Sequence, residues 1–317
     1  MSNTHFEILR PGINTTIQDS GRNHMYHEGI AVSGAIDQRN YKFANSLVGN
    51  KVDEAVIEFA YQGPLLKLKN GKINIALTGD IFFKIIRKNS KIENGECYKN
   101  YILEEEDQLD IISTKNTAYG YLSVNGGFQI EKFWNSYSIN TKANIGPNNG
   151  KKYSIEDKIF IRNSNLQNIK EIKLDYSEPS DNIIRVIKGT NFDYFSKEAQ
   201  NSFFDKEFSV TKLADRMGIR LRGHKLENII NTNIKSEGLV KGVVQVPADG
   251  DPIIMLSDHG TIGGYPKIGV VISADLDRVG QLTPGSIVNF KEVSLEEAQN
   301  IFKAYTVDTK KYLNENN

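Results

Sequence analysis

The sequence predicts a mainly β fold divided between two domains, and three observations predict it. Short β-rich runs recur along most of the chain, among them "GKINIALTG", "DIFFKIIRK", "QLDIIST", "YGYLSVNGG", "IIRVIKG", "VVQVP", "PIIMLSD", "IGVVISA" and "SIVNF". Runs this short, with turn residues between them, point to a barrel or sandwich and not to a doubly wound sheet. The chain has 317 residues, long for a single compact core and comfortable for two. Finally, Glu58, Gly63 and Gly71 in "EFAYQGPLLKLKNGKINIAL" match Glu237, Gly242 and Gly250 in "EGLVKGVVQVPADGDPIIML" at one constant offset, as two copies of one β unit would.

The polar segment "NSNLQNIKEIKLDYSEPSDN" reads as the connection between the copies, which sets domains at 1–178 and 179–317. Helices are few. In "AIDQRNYKFANSLVGN", Asp37 is placed to cap, Phe43, Ala44, Leu47 and Val48 share a face, and Gly49-Asn50 is a stop. "VSLEEAQNIFKAY" opens with a capping box, Ser294 with Glu297, and reads as a terminal helix packed on the last barrel. A third helix is expected in the less regular "NFDYFSKEAQNSFF".

Composition excludes several classes of function. Lys plus Arg and Asp plus Glu are both 39, so no net field attracts nucleic acid, and no basic run is interleaved with aromatics. No apolar stretch approaches the roughly 18 residues of a membrane helix, and "MSNTHFEILRPG" lacks a signal-peptide layout, so a cytoplasmic protein without a membrane partner is expected. Cys97 is the only cysteine; it sits in the polar turn "GECYKN" and reads as structural. His24 and His27 lack the company of a metal pattern, and no metal site is expected.

The densest chemistry lies in "LSDHGTIGGYPKIGVVISADLDR". Asp258 and His259 emerge at the end of a buried strand, and "GTIGGYP" reads as a loop because three glycines and a proline interrupt a ladder. In such a loop Gly263 and Gly264 would offer unshielded N–H groups to an anion, with Lys267 adding positive charge; the alternative is a barrel corner whose turn Asp258 caps. Pro266 directly before Lys267 excludes a Walker-type nucleotide loop.

Four other stretches bear on the choice. The long polar segment "TTIQDSGRNHMYHEGIAVSGAIDQR" holds Gln18, Asp19, Arg22, Ser33 and Asp37, and reads as a binding loop. "TKLADRMGIRLRG" sets Asp215 beside Arg216, which either grips a carboxylate bidentately or pairs with a neighbouring acid. "KSEGLVKGVVQVPADGDP" supplies Glu237 and Gln245, the latter pointing either to a ligand or to solvent. "YGYLSVNGGF" ends in Asn125-Gly126-Gly127, a second backbone-exposing corner.

In this order "TTIQDSGR", "GIAVSGAID", "ANSLVGN", "EFAYQGP", "DRMGIRL", "SEG", "GVVQVPADGDPIIML" and "TIGGYPKIGVVISADL" resemble the family variously described as the 5-oxoprolinase C-subunit, biotin-dependent carboxyltransferase family protein, allophanate hydrolase subunit 2 or KipA-like protein, from about residue 6 to 291. The resemblance implies tandem cyclophilin-like β-barrel units with a few short helices. It also implies work with a KipI-like B-subunit protein, together with a LamB/YcsF-like A-subunit protein, on a small cyclic amide. One branch of the family belongs to ATP-dependent 5-oxoprolinase, another to urea carboxylase, and a third antagonises a histidine-kinase inhibitor. The absence of a biotin-carrier "MKM" favours the first, in which ATP is used by the complex; biotin enters only under the second.

Two stretches depart from the family pattern. "NGGFQIEKFWNSYSINTKANIG" lacks the usual Gly-Ser-Arg-Ser-Thr type of segment around Ser138 to Lys142, and Asp258-His259-Gly260 replaces Asp-X-Gln-Thr, which puts His259 and Gly260 in doubt as functional positions. The expected site has Asp258 handling protons and Lys267 with Gly263 and Gly264 stabilising a charged oxygen. Arg216 and Gln245 orient substrate, and Gln18, Asp19, Arg22, Ser33, Asp37, Asp215, Thr261 and Tyr265 complete the binding set.

Overall fold

The computed structural model describes residues 3–162, 170–177, 181–230 and 233–314. The chain divides into two compact units: Met1–Asn23 with Ser33–Glu178 and Thr309–Asn317, and His24–Val32 with Pro179–Asp308. A cut at residue 178 thus leaves two segments on the other side: residues 24–32 belong to the second unit and 309 onward to the first.

The first unit contains β1 (His5–Arg10), β2 (Ile13–Gln18), helix α1 (Gln38–Leu47), β3 (Val56–Ala60), β4 (Leu65–Lys69), β5 (Lys72–Thr78) and β6 (Ile81–Ile86). It continues with β7 (Ile92–Asn94), β8 (Lys99–Glu104), β9 (Gln108–Thr114), β10 (Tyr119–Val124) and β11 (Lys158–Phe160). These form one sheet ordered β11-β1-β4-β9-β6-β7 and another ordered β2-β3-β10-β5-β8. Between them lies a core that includes Phe6, Ile57, Phe59, Leu66, Leu68, Ile75, Leu103 and Leu122. Strand β4 shows the rule that builds it: Leu66 and Leu68 point inward, while Lys67 and Lys69 point out and share Glu106 at 2.6 and 2.7 Å.

The second unit contains β12 (Ile183–Lys188), α2 (Lys197–Asp205), β13 (Phe208–Ala214), β14 (Gly218–Arg222), β15 (Glu237–Gly238), β16 (Val243–Gln245), β17 (Ile253–Met255), β18 (Ile262–Gly263) and β19 (Lys267–Val271). It ends with α3 (Leu276–Gly280), β20 (Ile287–Glu292) and α4 (Leu295–Asn314). Seven of its strands close a barrel, β12-β19-β16-β17-β14-β13-β20, sealed where β12 runs parallel to β20. The chain is therefore mainly β with a few helices, as the turn-bounded runs predict.

The Asp37 cap is made: its side chain accepts from the Asn40 N–H, and Gly49 ends α1 in the left-handed region at φ 73°. Ser294 and Glu297 exchange the two bonds of a capping box at 2.9 and 3.1 Å. The third predicted helix begins late, because Phe192–Tyr194 is a separate single turn and Ser196 caps α2 through the Ala199 N–H.

Three expectations are corrected. The terminal helix does not finish on the last barrel: Tyr312 packs its ring on Phe43 and Tyr176 in the first unit, where an aromatic cluster offers more apolar contact than water. Of the expected linker, residues 163–169 and 178–180 lie outside the described residues, but 170–177 are no spacer. Leu174 is buried beside Phe43, Leu47 and Tyr98, and Asn100 exchanges bonds with the backbone of Ile172. The constant-offset repeat also fails as a structural equivalence. Glu58 is buried in β3 while Glu237 is exposed in β15, and β4 and β5 sit in different sheets while β16 and β17 pair directly.

Among the described residues no helix is long and apolar enough to cross a membrane.

Candidate functional site

The candidate residues fall into separate sets in the two units. In the second unit, β19 delivers Lys267 opposite Gln245 of β16, with a bulge between Val244 and Gln245 that changes the register there. The Lys267 side chain is only 5% exposed, and its Nζ meets Glu237 Oε2 at 2.7 Å, whose own side chain is 46% exposed. The Lys267 backbone N–H donates to Asn191 Oδ1 at 3.1 Å, and Gly189 packs so closely that a Cβ there would stand 2.2 Å from the Lys267 carbonyl oxygen. A buried ammonium is thereby fixed in place, neutralised by a carboxylate that reaches in from a two-residue strand.

The glycines differ from their expected role. Ile262–Gly263 form a strand, β18, paired with Glu237–Gly238, so Gly263 is tied into a ladder where an exposed loop was expected. Its missing side chain serves packing: a Cβ would lie 2.7 Å from Gln245 Nε2 and 2.8 Å from Leu239 Cδ1. Gln245 is buried and donates through Nε2 to the Tyr265 carbonyl at 3.1 Å, so it faces inward. Thr261 contributes its carbonyl to the Leu239 N–H, and Gly264 its carbonyl to the Ile234 N–H. The short ribbon β15–β18 therefore lies across Gln245 and carries Glu237 to Lys267.

Arg216 and Asp258, expected to act separately on a substrate, grip each other. Nε and Nη2 of Arg216 reach the two Asp258 oxygens at 2.9 and 3.0 Å, with side-chain exposures of 4% and 1%, and the Asp258 N–H donates to the Arg216 carbonyl at 2.8 Å. This bidentate pair locks the turn after β17 to the turn before β14. Asp215 is exposed and caps its own turn through the Met217 N–H.

Directly after Asp258, His259 is buried, with Nδ1 2.6 Å from the Gly260 carbonyl and its ring 6.1 Å from that of Tyr26 in an edge contact. A carbonyl only accepts, so Nδ1 carries the proton and Nε2 is left as an acceptor. Burial, foremost, pulls the His259 pKa below its ordinary value. The ring lines a groove of about 270 Å³ on the outer face of β13, β14 and β17. Position 259, placed in doubt by sequence, is thus a formed acceptor beside a cavity.

In the first unit, Asp19 is saturated by donors. Oδ1 accepts from the Gly21 N–H, Ser136 Oγ and Ser138 Oγ at 2.8, 2.8 and 2.5 Å, and Oδ2 from the Tyr137 N–H at 2.7 Å. Arg22 donates to the carbonyls of Phe133 and Ser138, Gln18 to Thr16 Oγ1 and the Ile139 carbonyl, and Ser33 Oγ accepts from Asn140 Nδ2. Four expected binding residues are therefore brought together, but around the protein's own segment 133–140. Asp37 is spent on the cap of α1.

Sequence reasoning missed Ser136 and Ser138, although the alternation in "SYS" is a visible sign that both hydroxyls point one way. It also missed the buried trio of Glu58, Tyr121 and the Ile36 N–H, in which burial and the neighbouring carboxylates hold the Tyr121 hydroxyl well above its usual pKa. No local signal marks that trio. Cys97 sits against the core with Sγ 3.5 Å from the Ile81 carbonyl.

With this geometry in view, a family model, "Carboxyltransferase domain, subdomain A and B", matches residues 28–292. The chain belongs to this carboxyltransferase-domain family. Among its curated relatives, the 5-oxoprolinase C-subunit of Haemophilus influenzae is 32% identical and that of Escherichia coli 29%, each match covering 92% of both chains. Among solved structures, the urea amidolyase of K. lactis superposes with a TM-score of 0.87 at 24% identity, over 97% of this chain and 20% of that one, a likeness of fold. The carboxyltransferase-domain fold here thus corresponds to nearly the whole of some proteins and to a fifth of another.

Proposed function

We propose that this carboxyltransferase-domain protein is one component of a heteromeric, ATP-dependent 5-oxoprolinase that opens 5-oxoproline to glutamate, acting with KipI-like and LamB/YcsF-like partner proteins and inactive alone. The observation that carries the reading is the match over 92% of both chains to proteins named as the C-subunit of 5-oxoprolinase.

A five-membered lactam resists attack because its amide carbon is poorly electrophilic, so ring opening needs stabilisation of negative charge at the amide oxygen and a group to manage protons. Lys267 suits the first need. Its ammonium is held in a buried strand and gains electrostatic strength there, and Glu237 alone occupies its charge among the contacts described. Gln245, one register position across, presents an amide that can align a substrate carbonyl or N–H. Asp258 keeps Arg216 and the following turn in place, a positioning role. Residues 263–267 do not form a triphosphate cradle, because Gly263 is paired in β18 and Pro266 has no N–H, and ATP is assigned no site on this chain.

The test is reconstitution of this chain with its LamB/YcsF-like and KipI-like proteins, measuring ADP and glutamate from 5-oxoproline and omitting each protein in turn. Coupled products that vanish without this chain support the reading, and products that persist without it refute it.

The family description favours one second reading, carboxyl transfer to urea or an amide nitrogen with a biotinylated partner. It predicts urea-dependent turnover that needs such a partner and no glutamate from 5-oxoproline.

A further inference from the structure

Lys267 and Glu237 make one ion pair from two very different positions. The lysine is built into the barrel wall: its backbone N–H donates to Asn191 Oδ1, its carbonyl accepts from the Asn191 N–H, and its side chain is buried. Glu237 is half exposed and belongs to β15, which pairs only with β18 in a two-stranded sheet outside the barrel. Lys235, Ser236, Glu237 and Gly238 are exposed in succession, so no apolar burial holds this segment down. It is held by the Ile234 N–H on the Gly264 carbonyl at 2.9 Å, by the pairing of Glu237 with Gly263 and Gly238 with Ile262, and by the Lys267 contact at 2.7 Å. Its foot is firm by contrast. Leu239 is buried, its N–H donates to the Thr261 carbonyl, and its own carbonyl accepts from the Tyr26 hydroxyl. A short segment with exposed hydrogen bonds and little apolar contact opens at low cost, whereas its anchored neighbour does not.

A buried ammonium capped by the protein's own carboxylate has no place for a second anion, because like charges on one cation repel. We infer that residues 234–238 are a lid hinged at Leu239, and that Glu237 in the closed form occupies the position an incoming oxyanion takes on Lys267. The carboxylate is the group that leaves, since Asn191 clamps the lysine and Glu237 already has water on its open side. Opening uncovers the ammonium beside the Gln245 amide, a pair of groups suited to a carboxylate or phosphoryl oxygen. The inference rests on the proposed role of Lys267 in meeting negative charge, and not on which amide is turned over. An anion then binds only the open form, so its apparent affinity falls with the fraction of chain that is open. Gly238, next to the hinge, offers a way to shift that fraction. A Cβ there would meet nothing within 4 Å, so a valine fits the closed strand and favours it by restricting the backbone to the extended form.

The experiment is calorimetric titration of the full chain with inorganic phosphate, beside Glu237→Gln, Gly238→Val and Lys267→Met, with amide hydrogen exchange followed on the unmodified chain. Glu237→Gln is expected to bind phosphate about fivefold tighter, the difference between a charged and a neutral hydrogen bond in the internal competitor. Gly238→Val is expected to bind it about threefold to fivefold more weakly, and Lys267→Met to lose it. In the unmodified chain, phosphate should speed exchange of the Ile234 N–H and leave that of the Leu239 N–H unchanged, a readout that does not depend on a variant folding. Binding that is equal in the unmodified chain and the first two variants, that survives Lys267→Met, or that leaves Ile234 exchange unmoved would each overturn the lid, as would no binding by Glu237→Gln. None of these measurements needs a partner protein or turnover. If they come out as expected while the reconstituted complex releases no glutamate, the lid stands and the 5-oxoprolinase reading falls. Glutamate release without them does the reverse.

Discussion

Replacing Asp258 by Asn removes the charge that holds the Arg216 guanidinium and turns an NH₂ group toward it. The pair is bidentate at 2.9 and 3.0 Å, and neither side chain has access to water. Stripping one partner from a buried pair leaves an uncompensated charge and costs about 3–5 kcal/mol. Set against a domain stability of about 5–15 kcal/mol, this is a large fraction. With a urea m-value of about 2 kcal/mol/M, the second unit should unfold roughly 1.5–2.5 M earlier. The two units can be followed separately, because the single tryptophan, Trp134, lies in the first unit. Far-UV circular dichroism should show the early transition while Trp134 fluorescence stays near its original midpoint. The double substitution Arg216→Met with Asp258→Leu should recover much of the loss, since an apolar pair replaces the ionic one without leaving a buried charge. An Asp258→Asn protein that unfolds within about 0.5 kcal/mol of the original, the range of a neutral surface change, would refute the locking role and return Asp258 to the proton-transfer groups.

Lys267→Met should abolish turnover of the reconstituted complex, and Glu237→Gln should retain it while strengthening inhibition by inorganic phosphate severalfold, because the ammonium loses its internal competitor; steady-state kinetics of both variants checks this. The lowered His259 pKa means that the unfolded chain takes up this proton first, so the contribution is full above the ordinary value of 6.5 and is lost as pH falls below it; His259→Gln should flatten urea midpoints measured between about pH 6.5 and 5. Glu106, held down to about 2 by Lys67 and Lys69 from an ordinary 4.5, loses its own contribution mainly as pH falls from about 4.5 toward 2, so it adds to the slope only at the acid edge of that window. Asp19→Asn should destabilise the first unit by about 1–3 kcal/mol, since an NH₂ group then faces N–H and O–H donors, and Trp134, two residues before Ser136, should report the shift in fluorescence melts.

What the sequence determined by itself follows from local rules. Strand runs such as "INIALT" and "VVQ", the Asp37 cap and the Ser294–Glu297 box were all readable, because pleat alternation and helix capping act over a few residues. The ordered family motifs were readable for the same reason. Local rules failed where partners lie far apart in the chain. Asp258 and Lys267 looked alike as polar residues near a glycine loop. Only the closed barrel showed that one is locked by Arg216, 42 positions earlier, and the other is met by Glu237 from a separate ribbon. Gly263 looked like loop and proved to be strand, because pairing with Glu237 overrides the weak local preference of glycine. Asp19 and Arg22 looked like ligand groups, and their partners turned out to be the protein's own residues 133–140, more than a hundred positions on. His259 shows the converse: one carbonyl bond fixed its tautomer, and a groove built from three strands gave it something to face. Charge and polarity are properties of residues, whereas whether a polar group is satisfied by its own chain or left for a ligand is a property of the packed structure, since burial and long-range pairing decide it.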